Sequence, residues 1–235
     1  MIISHTKKFV FFHLYKVAGT SISNALGTYA DISTYSDEPH IHPALMKERK
    51  YGGYQGKELL EDYFTFAFVR NPWDWEVSLH SFMVQTSHPT ITSNPSLLEF
   101  DKYIRYACGD DWYGSTSPFV DSPQYRFLSD DNDLTSPISL NFIGKFEHLH
   151  SDLTKICQIL GLQCTLLHLN NSIHAKYIRY YTNETKQLVA NKHHQDIEYF
   201  GYSFGNNNTP HGKSQGHWKY KSNQYRKLAK VLKRI

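Results

Sequence analysis

The chain has 235 residues, 40% hydrophobic and 15% aromatic, enough to bury a sizeable core and better suited to one elaborated domain than to two. A formal net charge of +3 and an isoelectric point near 8.6 indicate mild affinity for anions without choosing among a phosphorylated cofactor, an acidic glycan and nucleic acid. Cys108, Cys157 and Cys164 form no C-x-x-C pair and leave at least one thiol over, which argues against a disulfide framework or a structural zinc site and for a reducing, cytoplasmic setting.

The N-terminal apolar stretch is too short for a membrane span and lacks a small-residue cleavage site. Residues 8–14 (KFVFFHL) are a nearly continuous apolar run, as expected of a strand buried on both faces of a parallel sheet. A turn over 15–19 follows. From Thr20 the hydroxyl residues and the apolar Ile22, Ala25 and Leu26 predict a helix, so the first unit reads strand, glycine turn, helix.

A second such unit begins at Tyr63: residues 64–69 (FTFAFV) predict a strand, and Pro72 is well placed at the first position of a helix carrying Trp73, Val77, Leu79 and Phe82. Between Ser87 and Asp121 a helix is expected around 97–107 among polar loops that could form part of an acceptor cleft. A third apolar segment, 140–146, precedes Leu149, Leu153, Ile156 and Leu160 at helical spacing, with Gly161 as C-cap. Residues 183–199 predict a helix stopped at Gly201, and a basic extension follows, ending in an amphipathic helix over 222–235. The expected fold is therefore α/β, a P-loop-like central parallel sheet flanked by helices in a single domain over 1–204, with 205–235 as a C-terminal extension.

The turn Lys16-Val17-Ala18-Gly19-Thr20-Ser21 leads into a helix N-terminus, which presents backbone amides and the positive end of the helix dipole to an anion, while Lys16 and the two hydroxyls add donors. Unlike the Walker A pattern, it places the lysine before the glycine. Arg70 ends the second strand at the sheet's C-terminal edge, where open α/β sheets bind ligands. Its planar fork suits a terminal phosphate, and Ser78 lies two helical turns on.

With these residues in view, the chain resembles the carbohydrate sulfotransferases of the family 2 type, which use 3′-phosphoadenosine-5′-phosphosulfate (PAPS). FFHLYKVAGTSI (11–22) is similar to that family's 5′-phosphosulfate loop, commonly written with a Lys-Thr-Gly-Gly-Thr-Ser core, and FAFVRNPWDWEVSLHSF (66–82) to its 3′-phosphate motif. The likeness extends to 141–147, 180–185 and 196–204. It implies that Lys16, Val17, Ala18, Gly19, Thr20 and Ser21 hold the 5′-phosphosulfate, and that Arg70 and Ser78 hold the 3′-phosphate. Arg179, in the region where such enzymes close a loop over the nucleotide, is a further candidate for the 3′-phosphate. Two departures stand out: Val17-Ala18 where the family has Thr-Gly, and Trp75 where it often has arginine.

The resemblance also implies sulfuryl transfer to a hydroxyl acceptor, a carbohydrate, with no metal. In-line displacement needs a base on one side and positive charge on the other. Lys16 supplies the charge. His42 is favoured as the base among fourteen histidines, because family members often have a histidine between the two motifs; His40 is too near in sequence to separate from it. His13 reads as structural. Gln124 and Arg126, in an expected loop, and Trp112 and Tyr113 are candidates for the acceptor, and Trp73 and Trp75 for adenine.

Two rivals stand beside this expectation. A P-loop nucleotide kinase should place a lysine after its second glycine and provide acids for magnesium, and neither is clear here. A non-enzymatic anion- or nucleic-acid-binding module would rest on the basic end with Trp218, Tyr220 and Tyr225. Such a tail is usually a solvated face, so nucleic acid is not the expected partner; contact with an anionic glycan or a membrane surface is left open.

Overall fold

The computed structural model describes residues 1–34, 38–109, 123–130, 138–166 and 175–206. These fall into two compact units, one drawn from residues 1–69 and 124–166, the other from 70–123 and 175–206. In chain order the strands are β1 Ile2–Ser4, β2 Phe9–Phe12, β3 Ile32–Ser33, β4 Lys50–Tyr51, β5 Tyr54–Gln55, β6 Phe64–Val69 and β7 Phe142–Lys145. The helices are α1 Gly19–Leu26, α2 Pro43–Lys47, α3 Gly56–Asp62, α4 Pro72–Gln85, α5 Pro89–Ser93, α6 Phe100–Cys108, α7 Gln124–Leu128, α8 Leu149–Leu160, α9 Asn183–Lys192 and α10 His194–Phe200.

The first unit holds a five-stranded sheet in the order β3-β1-β2-β6-β7. Its parallel part is β2, β6 and β7, with Phe12 opposite Ala67 and Val69 opposite Lys145. Every residue of β2 and β6 is buried, as their unbroken apolar runs require. Phe9, Phe11, Phe12, Phe64, Phe66 and Phe68 are fully enclosed, each stabilising the fold by roughly 1.5–3 kcal/mol relative to an exposed ring. The expectation of a parallel sheet is corrected to a mixed one, because β1 runs antiparallel to both β2 and β3. Three residues are too few to show a period. The turn that reverses the chain is instead secured from afar by Asp31, whose carboxylate accepts the His5 and Thr6 N–H groups at 2.6 and 3.1 Å.

Helix α8 ends where Gly161, at φ 63°, adopts the left-handed conformation, as its place after the periodic residues predicts. The reversal returns Cys164 to the last turn of α8, where it forms a disulfide with Cys157. That overturns the argument against disulfides, which looked only for C-x-x-C and missed a pair closed around a helix cap. Cys108 is the free thiol. No helix among the described residues is long and apolar enough to cross a membrane.

In the second unit α4 begins with Pro72 at its first position and with the Asn71 side chain accepting the Trp73 N–H. It packs against α6 and α9, and an Arg105–Glu184 ion pair joins the latter two. The helix expected over 183–199 is two helices broken at His193, whose ring is held inside the unit by Glu76 and Asp196. Trp112, Tyr113 and the amphipathic tail lie outside the described residues.

Candidate functional site

Strand β2 runs into the turn 15–18, and that turn into α1. Lys16 and Ala18 both have left-handed backbones, φ 56° and 62°, a conformation that costs a non-glycine residue on the order of 1 kcal/mol or more and collects at ligand-binding turns. Ala18 is the N-cap of α1, and its methyl group cannot accept from the first-turn amides, which leaves the helix start without the usual capping oxygen. Val17 is fully buried, so its departure from the family's threonine serves as an apolar anchor for the turn. Lys16 and Thr20 are half-buried and Ser21 is buried.

His13 backs this turn. A Cβ on Gly19 would overlap the His13 imidazole, so only glycine lets the helix start come this close. Burial, with the charge of His40, lowers the His13 pKa to about 3, and the ring is neutral at ordinary pH. His13 therefore supports the loop, in keeping with its structural expectation.

Beyond His13 the chain returns through Pro39 to His42. His40 Nδ1 lies 2.8 Å from the His13 carbonyl, and its ring packs on Tyr15 and His13 with centroids 4.0 and 4.7 Å apart. His42 is the N-cap of α2, its Nδ1 accepting the Leu45 N–H at 3.2 Å. It is 6% exposed, and burial followed by the charge of Arg49 lowers its pKa. Gln124 and Arg126 stand on α7 rather than in the expected loop; Gln124 is buried and Arg126 exposed. Sequence reasoning passed over Lys145. It ends β7 opposite Val69, at the same C-terminal edge of the parallel strands, and is 2% exposed, with burial lowering its pKa.

In the second unit Arg70 is 5% exposed, and Asp74 Oδ2 accepts from its Nε at 2.8 Å. Asp74 and Ser78 lie one turn apart on α4, and Ser78 is buried. The neighbouring Asn71 donates to the Tyr177 hydroxyl and the Ser203 carbonyl, tying the start of α4 to the short helix Tyr177–Arg179 that carries the exposed Arg179. Trp73 and Trp75 are 4% and 2% exposed. The Trp73 indole donates to the Lys186 carbonyl and meets Phe204 edge-on, while Trp75 meets His193. Both indoles fill this unit's own interior.

Among the described residues, one group brings metal-ligating atoms together: Glu76, Cys108 and His193, within 4.8 Å of one another. The group is already satisfied internally. Glu76 accepts from Tyr103 at 2.8 Å, His193 Nε2 at 2.9 Å and Lys192 at 3.2 Å. Burial works against the Glu76 charge, but Lys192 and His193 prevail and hold its carboxyl well below the usual range. His193 is likewise lowered by burial yet carried above its ordinary value by Asp196 and Glu76. The Lys192 ammonium already supplies a positive counter-charge to that carboxylate.

An uncharacterized protein of Archaeoglobus fulgidus is 30% identical to this chain over 107 residues, 46% of this chain and 75% of that protein. No solved structure matches the chain. The model of the sulfotransferase family matches residues 1–203, and the chain belongs to that family, of the family 2 type.

Proposed function

We propose that this transferase moves the sulfuryl group of PAPS to a hydroxyl acceptor, a carbohydrate, by metal-independent in-line displacement. The observation that carries the reading is the turn before α1: Lys16 and Ala18 left-handed, Gly19 pressed against His13, and a helix start without a capping side chain. A backbone of this kind suits an anion rather than a side chain.

On the strength of the motif resemblance, Lys16, Val17, Ala18, Gly19, Thr20 and Ser21 hold the 5′-phosphosulfate, and Arg70, Ser78 and Arg179 hold the 3′-phosphate. Lys16 stabilises the charge that develops on the departing adenosine bisphosphate. A histidine of the segment His40-Ile41-His42 takes the acceptor's proton. Residues 1–204 form the transferase domain, and 205–235 a basic C-terminal extension.

Calorimetric titration with adenosine 3′,5′-bisphosphate, beside ATP with magnesium, tests this reading. Tight, magnesium-independent binding of the bisphosphate, lost in Lys16→Ala and Arg70→Ala, is expected. Preference for ATP with magnesium would move the protein to the kinases, and no nucleotide binding would leave a non-enzymatic module.

A further inference from the structure

An arginine holds a terminal phosphate well only if its guanidinium is presented in a fixed plane, so whatever fixes the backbone beside Arg70 bears on the phosphate too. The next residue, Asn71, is fully buried. Its carbonyl accepts the Trp75 N–H at 2.8 Å and its Oδ1 the Trp73 N–H at 3.1 Å. Its Nδ2 donates to the Ser203 carbonyl at 3.2 Å and to the Tyr177 hydroxyl at 3.5 Å. A backbone N–H only donates and a carbonyl only accepts, so the side-chain amide is oriented from both ends. Capping α4 needs only the oxygen, which serine would supply as well. The amide adds two donors, directed at residues 106 and 132 positions away.

The two acceptors are themselves joined. The Tyr177 hydroxyl accepts the Gly205 N–H at 2.8 Å, and Gly205, at φ 78°, takes a left-handed turn that glycine adopts without strain. Between Ser203 and Gly205 the Phe204 ring meets Trp73, Tyr177 and Tyr181 edge-on, each with centroids 5.6 Å apart. The short helix Tyr177–Arg179 packs on α4. Asn71 is thus the covalent neighbour of Arg70, whose Nε is held by Asp74 one turn along α4, and through Tyr177 it fixes the start of the helix that ends in Arg179.

We propose that Asn71 is a positioning residue for the 3′-phosphate, an assignment that rests on the PAPS reading. With Tyr177 it locks the start of α4 to the Tyr177–Arg179 helix, so that Arg70 and Arg179 are set for a phosphate before it arrives. Asn71 is enclosed and acts through the two arginines. A nucleotide without a 3′-phosphate makes no use of the lock, and the lock therefore contributes to selectivity as well as affinity.

Adenosine 3′,5′-bisphosphate and adenosine 5′-phosphate, titrated in parallel by calorimetry into the full chain, Asn71→Ser and Tyr177→Phe, test this. The first substitution keeps a capping oxygen, adds no charge and removes the amide donors; the second keeps the ring and removes the acceptor shared by Asn71 and Gly205. Each variant should bind the bisphosphate about tenfold more weakly with its affinity for adenosine 5′-phosphate unchanged. The double variant should bind no more weakly than the weaker single one, because both cut the same lock. An equal loss for the two nucleotides would make Asn71 a structural cap and overturns the proposal, as does unchanged bisphosphate affinity. If circular dichroism shows Asn71→Ser unfolded, Tyr177→Phe decides by the same outcomes. An unmodified protein that binds the bisphosphate no better than adenosine 5′-phosphate sinks the PAPS reading instead, and the two failures are thereby distinct.

Discussion

The imidazole of His13 fills the space where a side chain on residue 19 would begin. Two features of the sequence thus act as one: a histidine just past β2 and the glycine that opens α1 set how closely the helix start approaches the sheet, and so where its first amides stand.

Gly19→Ala follows directly from that contact. The methyl group must displace a buried ring, an overpacking that costs about 1–3 kcal/mol, and the displaced ring takes the turn with it. Urea denaturation should show the stability loss, and calorimetry a loss of adenosine 3′,5′-bisphosphate binding larger than the fraction unfolded explains. Unchanged affinity would detach the turn from the anion.

Arg70→Lys keeps the charge and removes the planar fork. Because Asp74 takes Nε and fixes the guanidinium plane, the phosphate would lose an oriented, charge-assisted contact, of the order of 1.5–3 kcal/mol. The bisphosphate affinity should fall roughly ten- to hundredfold, with circular dichroism confirming the fold. Equal affinity in the two proteins would show that Arg70 acts as a point charge or not at all.

Much of this arrangement was legible beforehand, and the reasons differ by element. The run FTFAFV with Pro72 beyond it carries both its strand and the start of α4, because burial on two faces and proline's preference for a first helical turn are local properties. Strand β1 was not legible: three residues owe their place to an aspartate 26 positions from His5. The break at His193 was hidden for the same reason, since its partner Glu76 is 117 residues away. His42 was found by position between two motifs, but which of its nitrogens is engaged depends on the Leu45 amide, and no spacing reveals that.

Glu76→Gln tests the buried network of the second unit. Removing the carboxylate leaves Lys192 and His193 facing each other without their shared counter-charge, which should cost roughly 3–5 kcal/mol. Glu76 is held below the ordinary carboxylate range, so its contribution is present above the unfolded value near 4.5 and is lost as pH falls through the folded one. The difference between the two proteins, followed by urea denaturation, should therefore be full at neutral pH and shrink under strong acid. A difference that stays constant with pH would mean that the carboxylate's charge is not what the network uses.

The histidines of the first unit set a dependence of the same sign in a higher pH window. His13 and His40 have folded values of about 3 and 4, below the 6.5 of an unfolded chain, so between these limits the unfolded state binds protons that the native state refuses. Stability therefore falls as pH drops from about 6.5 toward 4. His193 acts in the other direction, its raised pKa contributing stability that is complete below 6.5 and lost above its folded value. In His13→Phe, which retains a ring against Gly19, one of these acid-sensitive groups is gone. The slope of denaturation midpoint against pH between 6.5 and 4 should then be shallower than in the unmodified protein, and an unchanged slope would show that His13 takes up a proton inside the folded chain.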